Sequence, residues 1–115
     1  MTPILDRIPV CRHGNKLKIQ PELLEALDKI EREMQKELLY TSGYRCDVCN
    51  ELAGGAKDSA HLRGLAVDIA VETSLDRYSL LDVLFTSNVR RIGIYQSHIH
   101  IDVDNSLIQF VCWRK

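Results

Sequence analysis

A chain of 115 residues is the size of one domain, able to bury a single core with little left for a second. With 15 Lys plus Arg against 16 Asp plus Glu, the formal net charge of -1 provides no broad field for nucleic acid or an anionic membrane. A 45% hydrophobic and 27% charged composition excludes a disordered or fibrous chain.

The opening MTPILDRIPV lacks the basic start and continuous apolar run of a secretory signal, and no later stretch is apolar enough to span a membrane. The expected location is cytoplasmic, or outside the cell by other means. Pro21 suits a first helical turn, and Leu23, Leu24, Leu27, Ile30, Met34 and Leu38 recur at steps of three and four, which predicts a helix over about 21–37. The intervening charged residues, among them Glu25, Asp28, Glu31, Arg32 and Lys36, read as its solvated surface. Residues 38–41 suit a short buried strand turning at Ser42 and Gly43, followed by a helix over 46–53 that Gly54 and Gly55 stop. Residues 65–71 form a buried strand whose apolar run is broken by Asp68. Asp76 is the expected cap of a helix through about Thr86, with Tyr78, Leu81, Leu84 and Phe85 as its apolar stripe. Residues 91–95, 98–103 and 108–113 are strand-like, the last two separated by Asn105 and Ser106. Helices ahead of strands without regular alternation predict an α+β fold: one domain over 1–115, an antiparallel sheet, and helices packed on one side. No apolar stripe is left over to specify an oligomer.

Of the four cysteines, Cys46 and Cys49 form a single CxxC on the second predicted helix, where i and i+3 point roughly alike. The spacing occurs in zinc ribbons and redox sites, but no second CxxC follows, and without a signal peptide two reduced, ordinary thiols are the default. Cys11 and His13 would add ligands only if the chain brought them to that helix.

The chemistry concentrates in SAHLRGLAVD, 59–68, and SHIHID, 97–102. Gly64 lets the segment carrying His61 fold back beside Asp68. His98 and His100, two apart in a strand, share a face, while Ile99 and Ile101 point into the core. A lone histidine is most often a surface or hydrogen-bonded core residue, and Asp68 has Arg63 as a possible ion-pair partner. An unpaired aspartate in a buried strand, however, costs on the order of several kcal/mol unless a cation compensates it. Two histidines and one aspartate supply the three protein ligands of a hydrolytic zinc site, whose open position takes water.

Ser42-Gly43-Tyr44-Arg45, Gly54-Gly55, Ser59-x-His61-x-x-Gly64-x-Ala66-x-Asp68 and the strand ending His100-Ile101-Asp102 follow one another in an order that resembles the zinc D-alanyl-D-alanine carboxypeptidases, subfamily A of the M15 peptidases. The resemblance covers most of residues 11–113. It implies the fold shared with the hedgehog signalling domain and zinc held by His61, Asp68 and His100. It further implies hydrolysis of peptidoglycan stem peptides or D-amino-acid dipeptides, as carboxypeptidase or endopeptidase, and allows a phage or prophage lysin (an endolysin) that reaches the cell wall with a holin. Arg45 stands where the family's SGYR arginine faces the substrate, there to hold a carboxylate or a developing oxyanion; an ion pair with Asp47 is the structural alternative. Many members carry Asp or Glu three residues before the last zinc histidine, and here that position is Ser97, which leaves His98 as the candidate proton acceptor or, equally, as a group that orients a ligand or donates to the oxyanion. Asp102 is read as orienting a neighbour. The missing carboxylate keeps open a zinc-stabilised binding domain without catalysis, and the CxxC a redox or zinc-ribbon protein.

Overall fold

The structure is a computed structural model and describes residues 2–115. After a short helix α1 (Ile4–Arg7), α2 (Pro21–Met34) starts on Pro21, whose fixed φ suits a first turn, and it buries Leu23, Leu27 and Ile30 on one face. Each of those side chains contributes roughly 2 kcal/mol by leaving water. The helix stops short of residue 37 because Gln35 turns left-handed, at φ 56°, and its amide bonds back to Glu31 and Arg32.

The chain then runs through β1 (Tyr40–Ser42), α3 (Asp47–Leu52), a 3₁₀ turn (Ala60–Arg63), β2 (Ala66–Ala70), α4 (Ser74–Thr86), β3 (Arg91–Ile94), β4 (His98–Asp102) and β5 (Val111–Arg114). The strands form one sheet in the order β1-β2-β4-β3-β5. The α+β architecture is the expected one, with antiparallel pairing of β1 with β2, β2 with β4 and β4 with β3. The edge strand β5 departs from it by running parallel to β3. Ile108 and Phe110, expected in that strand, are exposed, and Phe110, at φ 62°, lies just ahead of it.

Side chains alternate across the sheet. Val67, Ile69, Ile92, Ile99 and Ile101 enter a core shared with Leu23, Leu27 and Ile30 of α2 and Leu80 and Leu84 of α4. Thr73, not Asp76, caps α4: its hydroxyl accepts from the Asp76 amide, and Asp76 instead places its charge in the first turn. Of the expected stripe Leu84 is buried and Leu81 packs against the core, whereas Tyr78 and Phe85 are exposed and Leu80 takes their place inside. The other face of the central strands carries Asp68, His98, His100 and Asp102, bordered by the loop that follows α3.

The link between α1, α2 and β1 is polar. The Glu31 carboxylate accepts both guanidinium nitrogens of Arg7 at 2.6 and 3.0 Å, the Leu38 amide at 3.0 Å and the buried Tyr40 hydroxyl at 2.7 Å. Burial alone would raise the Glu31 carboxyl, but these donors outweigh it and hold the group below its ordinary value. Truncation by Glu31→Ala leaves a buried hydroxyl and a guanidinium without their acceptor, with an expected loss of about 3 kcal/mol in urea unfolding. Because the folded pKa lies below the unfolded value of about 4.3, the contribution is whole above that pH and disappears as pH falls through the folded value. The wild-type advantage over Glu31→Ala therefore shrinks in acid.

Candidate metal centre

Three elements deliver one atom each to a common point. The 3₁₀ turn is capped by the Ser59 hydroxyl, which accepts from the His61 amide, and ends at Gly64 in the left-handed region, φ 69°. His61 is thereby held over the start of β2. Asp68 and His100 are directly opposed in the β2-β4 ladder, side chains on the same face. His61 Nε2 lies 3.2 Å from Asp68 Oδ1, His100 Nδ1 lies 3.2 Å from His61 Nε2, and His100 Nδ1 lies 3.3 Å from Asp68 Oδ1. All three residues are buried.

The outward nitrogen of each ring is engaged elsewhere. His61 Nδ1 donates to the Gly43 carbonyl at 2.7 Å, and His100 Nε2 donates to the Asp102 carboxylate at 2.8 Å. Asp102 is in turn held by Arg91 at 2.8 Å and by the Asp104 amide at 3.2 Å. Since a carbonyl only accepts, the His61 proton sits on Nδ1 and Nε2 presents a lone pair; burial also pushes this imidazole down, toward the neutral form. Burial opposes charge on His100 too, but Asp102 and Asp68 outweigh it and hold its pKa above the ordinary value. Burial would raise Asp68, yet the hydrogen bond and the charge that His100 brings to it keep its carboxyl well below the usual range. At most one proton, on His100 Nδ1, is thus available to three acceptor atoms packed edge to edge.

A single cation satisfies all three. With bonds of about 2.05 Å, a tetrahedral ion sets its ligand atoms about 3.3 Å apart, and the observed spacings match that edge. The donor set of two imidazoles and one carboxylate, with a carboxylate and a carbonyl orienting the rings, also fits such an ion.

The triad opens into a cleft of about 560 Å³ whose walls include Arg45, Arg91, Tyr95, His98 and Trp113. His98 shares the triad's face, with Nε2 3.8 Å from Asp68 Oδ2; its ring stacks on Tyr95 at 4.5 Å, and its Nδ1 lies 3.2 Å from the Ser97 hydroxyl. Arg45 is fastened by its backbone, whose amide donates to the His61 carbonyl at 3.2 Å. Its side-chain Nε is buried without a partner among the described residues, so no pairing with Asp47 is made through that atom. Arg63, read as a partner for Asp68, instead binds Asp58 and Asp104 and leaves Asp68 to the histidines.

Tyr95 and Trp113 went unnoticed in the sequence. Trp113 Nε1 donates to the Tyr95 hydroxyl at 3.2 Å, and its ring lies 5.3 Å from that of His100. An aromatic in the last strand gave no signal, because the parallel pairing of β5 is what brings it to the cleft.

Two buried histidines and a buried carboxylate at the floor of an open cleft are the kind of donor set that metal-dependent hydrolases use, here on a small α+β domain. A protein-family model described as Peptidase M15 matches residues 5–104. The chain belongs to the peptidase M15 family. A search of curated proteins finds none that matches it.

Proposed function

We propose that this protein is a zinc metallopeptidase that hydrolyses peptidoglycan stem peptides or D-amino-acid dipeptides, with zinc held by His61, Asp68 and His100. The observation that carries the reading is the convergence of three lone-pair atoms at tetrahedral spacing beside an arginine whose buried Nε has no partner among the described residues. Bound zinc supplies Lewis acidity, polarising a carbonyl and making water more acidic. The chain's own residues supply the rest. Asp102 and the Gly43 carbonyl hold the two imidazoles in one tautomer and orientation. Arg45 holds the terminal carboxylate of the peptide or the oxyanion that develops at its carbonyl. His98, beside Asp68 and open to the cleft, takes the proton from the attacking water and returns it to the departing amine nitrogen. Tyr95 and Trp113 give the cleft an aromatic wall against which a short peptide lies.

Ser97 favours one alternative. Its hydroxyl contacts His98 and has no basicity of its own, so a domain of the same fold that binds zinc and peptide without cleaving is the second reading. The test is release of D-alanine or of a D,D-dipeptide from stem peptides by the zinc-loaded protein, compared with His98→Ala. Lost turnover with zinc retained supports the enzyme; zinc bound without cleavage at any pH or metal loading leaves the binding domain. Within the enzyme reading, Arg45→Ala removes a charge-assisted contact of about 2 kcal/mol or more, which is roughly thirtyfold or more in kcat/KM. Steady-state kinetics with and without a free terminal carboxylate on the peptide checks which group Arg45 holds. A loss confined to the free carboxylate assigns terminal binding, and an equal loss on both assigns the oxyanion.

A further inference from the structure

The thiols set aside in the sequence as ordinary come together in space. The Cys11 amide donates to the Tyr44 carbonyl at 3.2 Å, and the Gly14 amide closes a tight turn on the Cys11 carbonyl at 2.7 Å. The turn lays residues 11–14 against the start of α3, where Cys46 occupies the N-cap and Cys49 lies one turn on, so that their side chains face the same way. The sulfur atoms of Cys11, Cys46 and Cys49 lie within 4.8 Å of one another. His13 stands at the edge of the group, with Nδ1 3.4 Å from Cys49 Sγ but not within 4.8 Å of all three sulfurs. The Cys46 amide meets Cys11 Sγ at 3.4 Å, a donor aimed at a sulfur as it is around bound thiolates.

We propose that Cys11, His13, Cys46 and Cys49 form a second, structural metal site for a thiophilic divalent cation of the zinc type, which fastens the segment carrying Arg45 to the N-terminal part of the chain. With metal–sulfur bonds of about 2.3 Å, a tetrahedral ion places sulfurs about 3.8 Å apart and a nitrogen about 3.6 Å from a sulfur. The His13 to Cys49 distance already meets that spacing, the sulfurs need contract by no more than about 1 Å, and the exposed His13 ring turns inward to close the fourth position. Four protein ligands leave no open position, which is the mark of a structural centre and not a catalytic one. A CxxC redox pair has no use for a third thiol at the same point.

The consequence reaches the cleft through the backbone. Arg45 directly precedes Cys46, its amide bonds to the His61 carbonyl, and Gly43 supplies the carbonyl that orients His61. A cation clamping Cys46 to Cys11 therefore holds both Arg45 and the His61 support in place. This site is independent of the peptidase reading and stands or falls separately.

The test is metal analysis and cobalt substitution of the full chain purified under reducing conditions. Two equivalents of zinc are expected in wild type. The double variant His61→Ala/His100→Ala should retain one, and cobalt in it should give the intense near-ultraviolet band of thiolate-to-metal charge transfer. Cys49→Ser should lose one equivalent and that band, His13→Ala should weaken both, and Cys112→Ser, at an exposed thiol outside the cluster, should change neither. His13 is exposed, so its variant reports on the metal without disturbing the core. One equivalent with the thiolate band means that this site fills and the triad does not. One equivalent that Cys49→Ser leaves in place, or wild type lacking the band when saturated with cobalt, overturns the proposal.

Discussion

Alanine at His100 or Asp68 is expected to remove one equivalent of metal and all hydrolysis together. The triad atoms sit 3.2 to 3.3 Å apart, so each ligand carries a large share of the binding. Binding of about 10–16 kcal/mol for a four-coordinate zinc, spread over its ligands, is about 3 kcal/mol or more for each. Its loss weakens the site by about a hundredfold or more. Asp102→Asn is the informative contrast, because it leaves all three ligand atoms in place and alters the group that receives the His100 Nε2 proton, together with its ion pair to Arg91. Removing such an orienting carboxylate typically costs 10–100-fold, so about that reduction in affinity is expected, with metal still bound at saturation. Zinc titration followed by thermal denaturation reads both effects, since a ligand of the native state raises Tm in proportion to its binding free energy. If His100→Ala keeps the wild-type metal content, the triad is not the metal centre.

This chemistry was legible because the strand carrying it has a strict period. His98, His100 and Asp102 could only share one face once Ile99 and Ile101 were given to the core, and the structure buries both isoleucines. Asp68 stood out as a charge inside an apolar run, a local anomaly that needs no tertiary information. α4 was the opposite case. Leu75, Tyr78, Leu80, Leu81, Val83, Leu84 and Phe85 distribute apolar side chains around the helix, so periodicity selects no face and packing against α2 decides that Leu80 and Leu84 go in. β5 was expected, but its limits and direction escaped for a related reason: a four-residue edge strand has too few alternations to fix where it starts, and nothing local tells that it pairs parallel to β3. The cluster at Cys46 was half visible. The CxxC gave the pair, but Cys11 and His13 join it only through the Cys11 amide bond to Tyr44, a contact of long sequence separation that no local pattern encodes.

Gly64→Ala is expected to be the most destabilising single-methyl change in the molecule, and it links the fold to the site. Gly64 ends the turn that carries His61 with φ 69°, a conformation that costs a residue with a Cβ about 1 kcal/mol or more. A Cβ there would also lie 1.7 Å from the Lys18 carbonyl oxygen and 2.7 Å from its carbon, atoms of the backbone that cannot swing aside. Neither partner has room to retreat, since the Gly64 carbonyl accepts from the Gln20 amide at 2.9 Å and Ile19 between them is buried. Overpacking of this kind adds about 1–3 kcal/mol. The total is about 3 kcal/mol or more, on the order of 10 °C in Tm for a domain of this size. Gly54→Ala separates the two contributions, because Gly54 has φ 75° and nothing within 4 Å of the added methyl. It should cost only the conformational part, about 1 kcal/mol. Equal losses in the two variants would remove the close approach from the account. A larger loss at Gly64, accompanied by weaker metal binding, would show that the contact between residues 18 and 64 sets the height of His61 above the sheet.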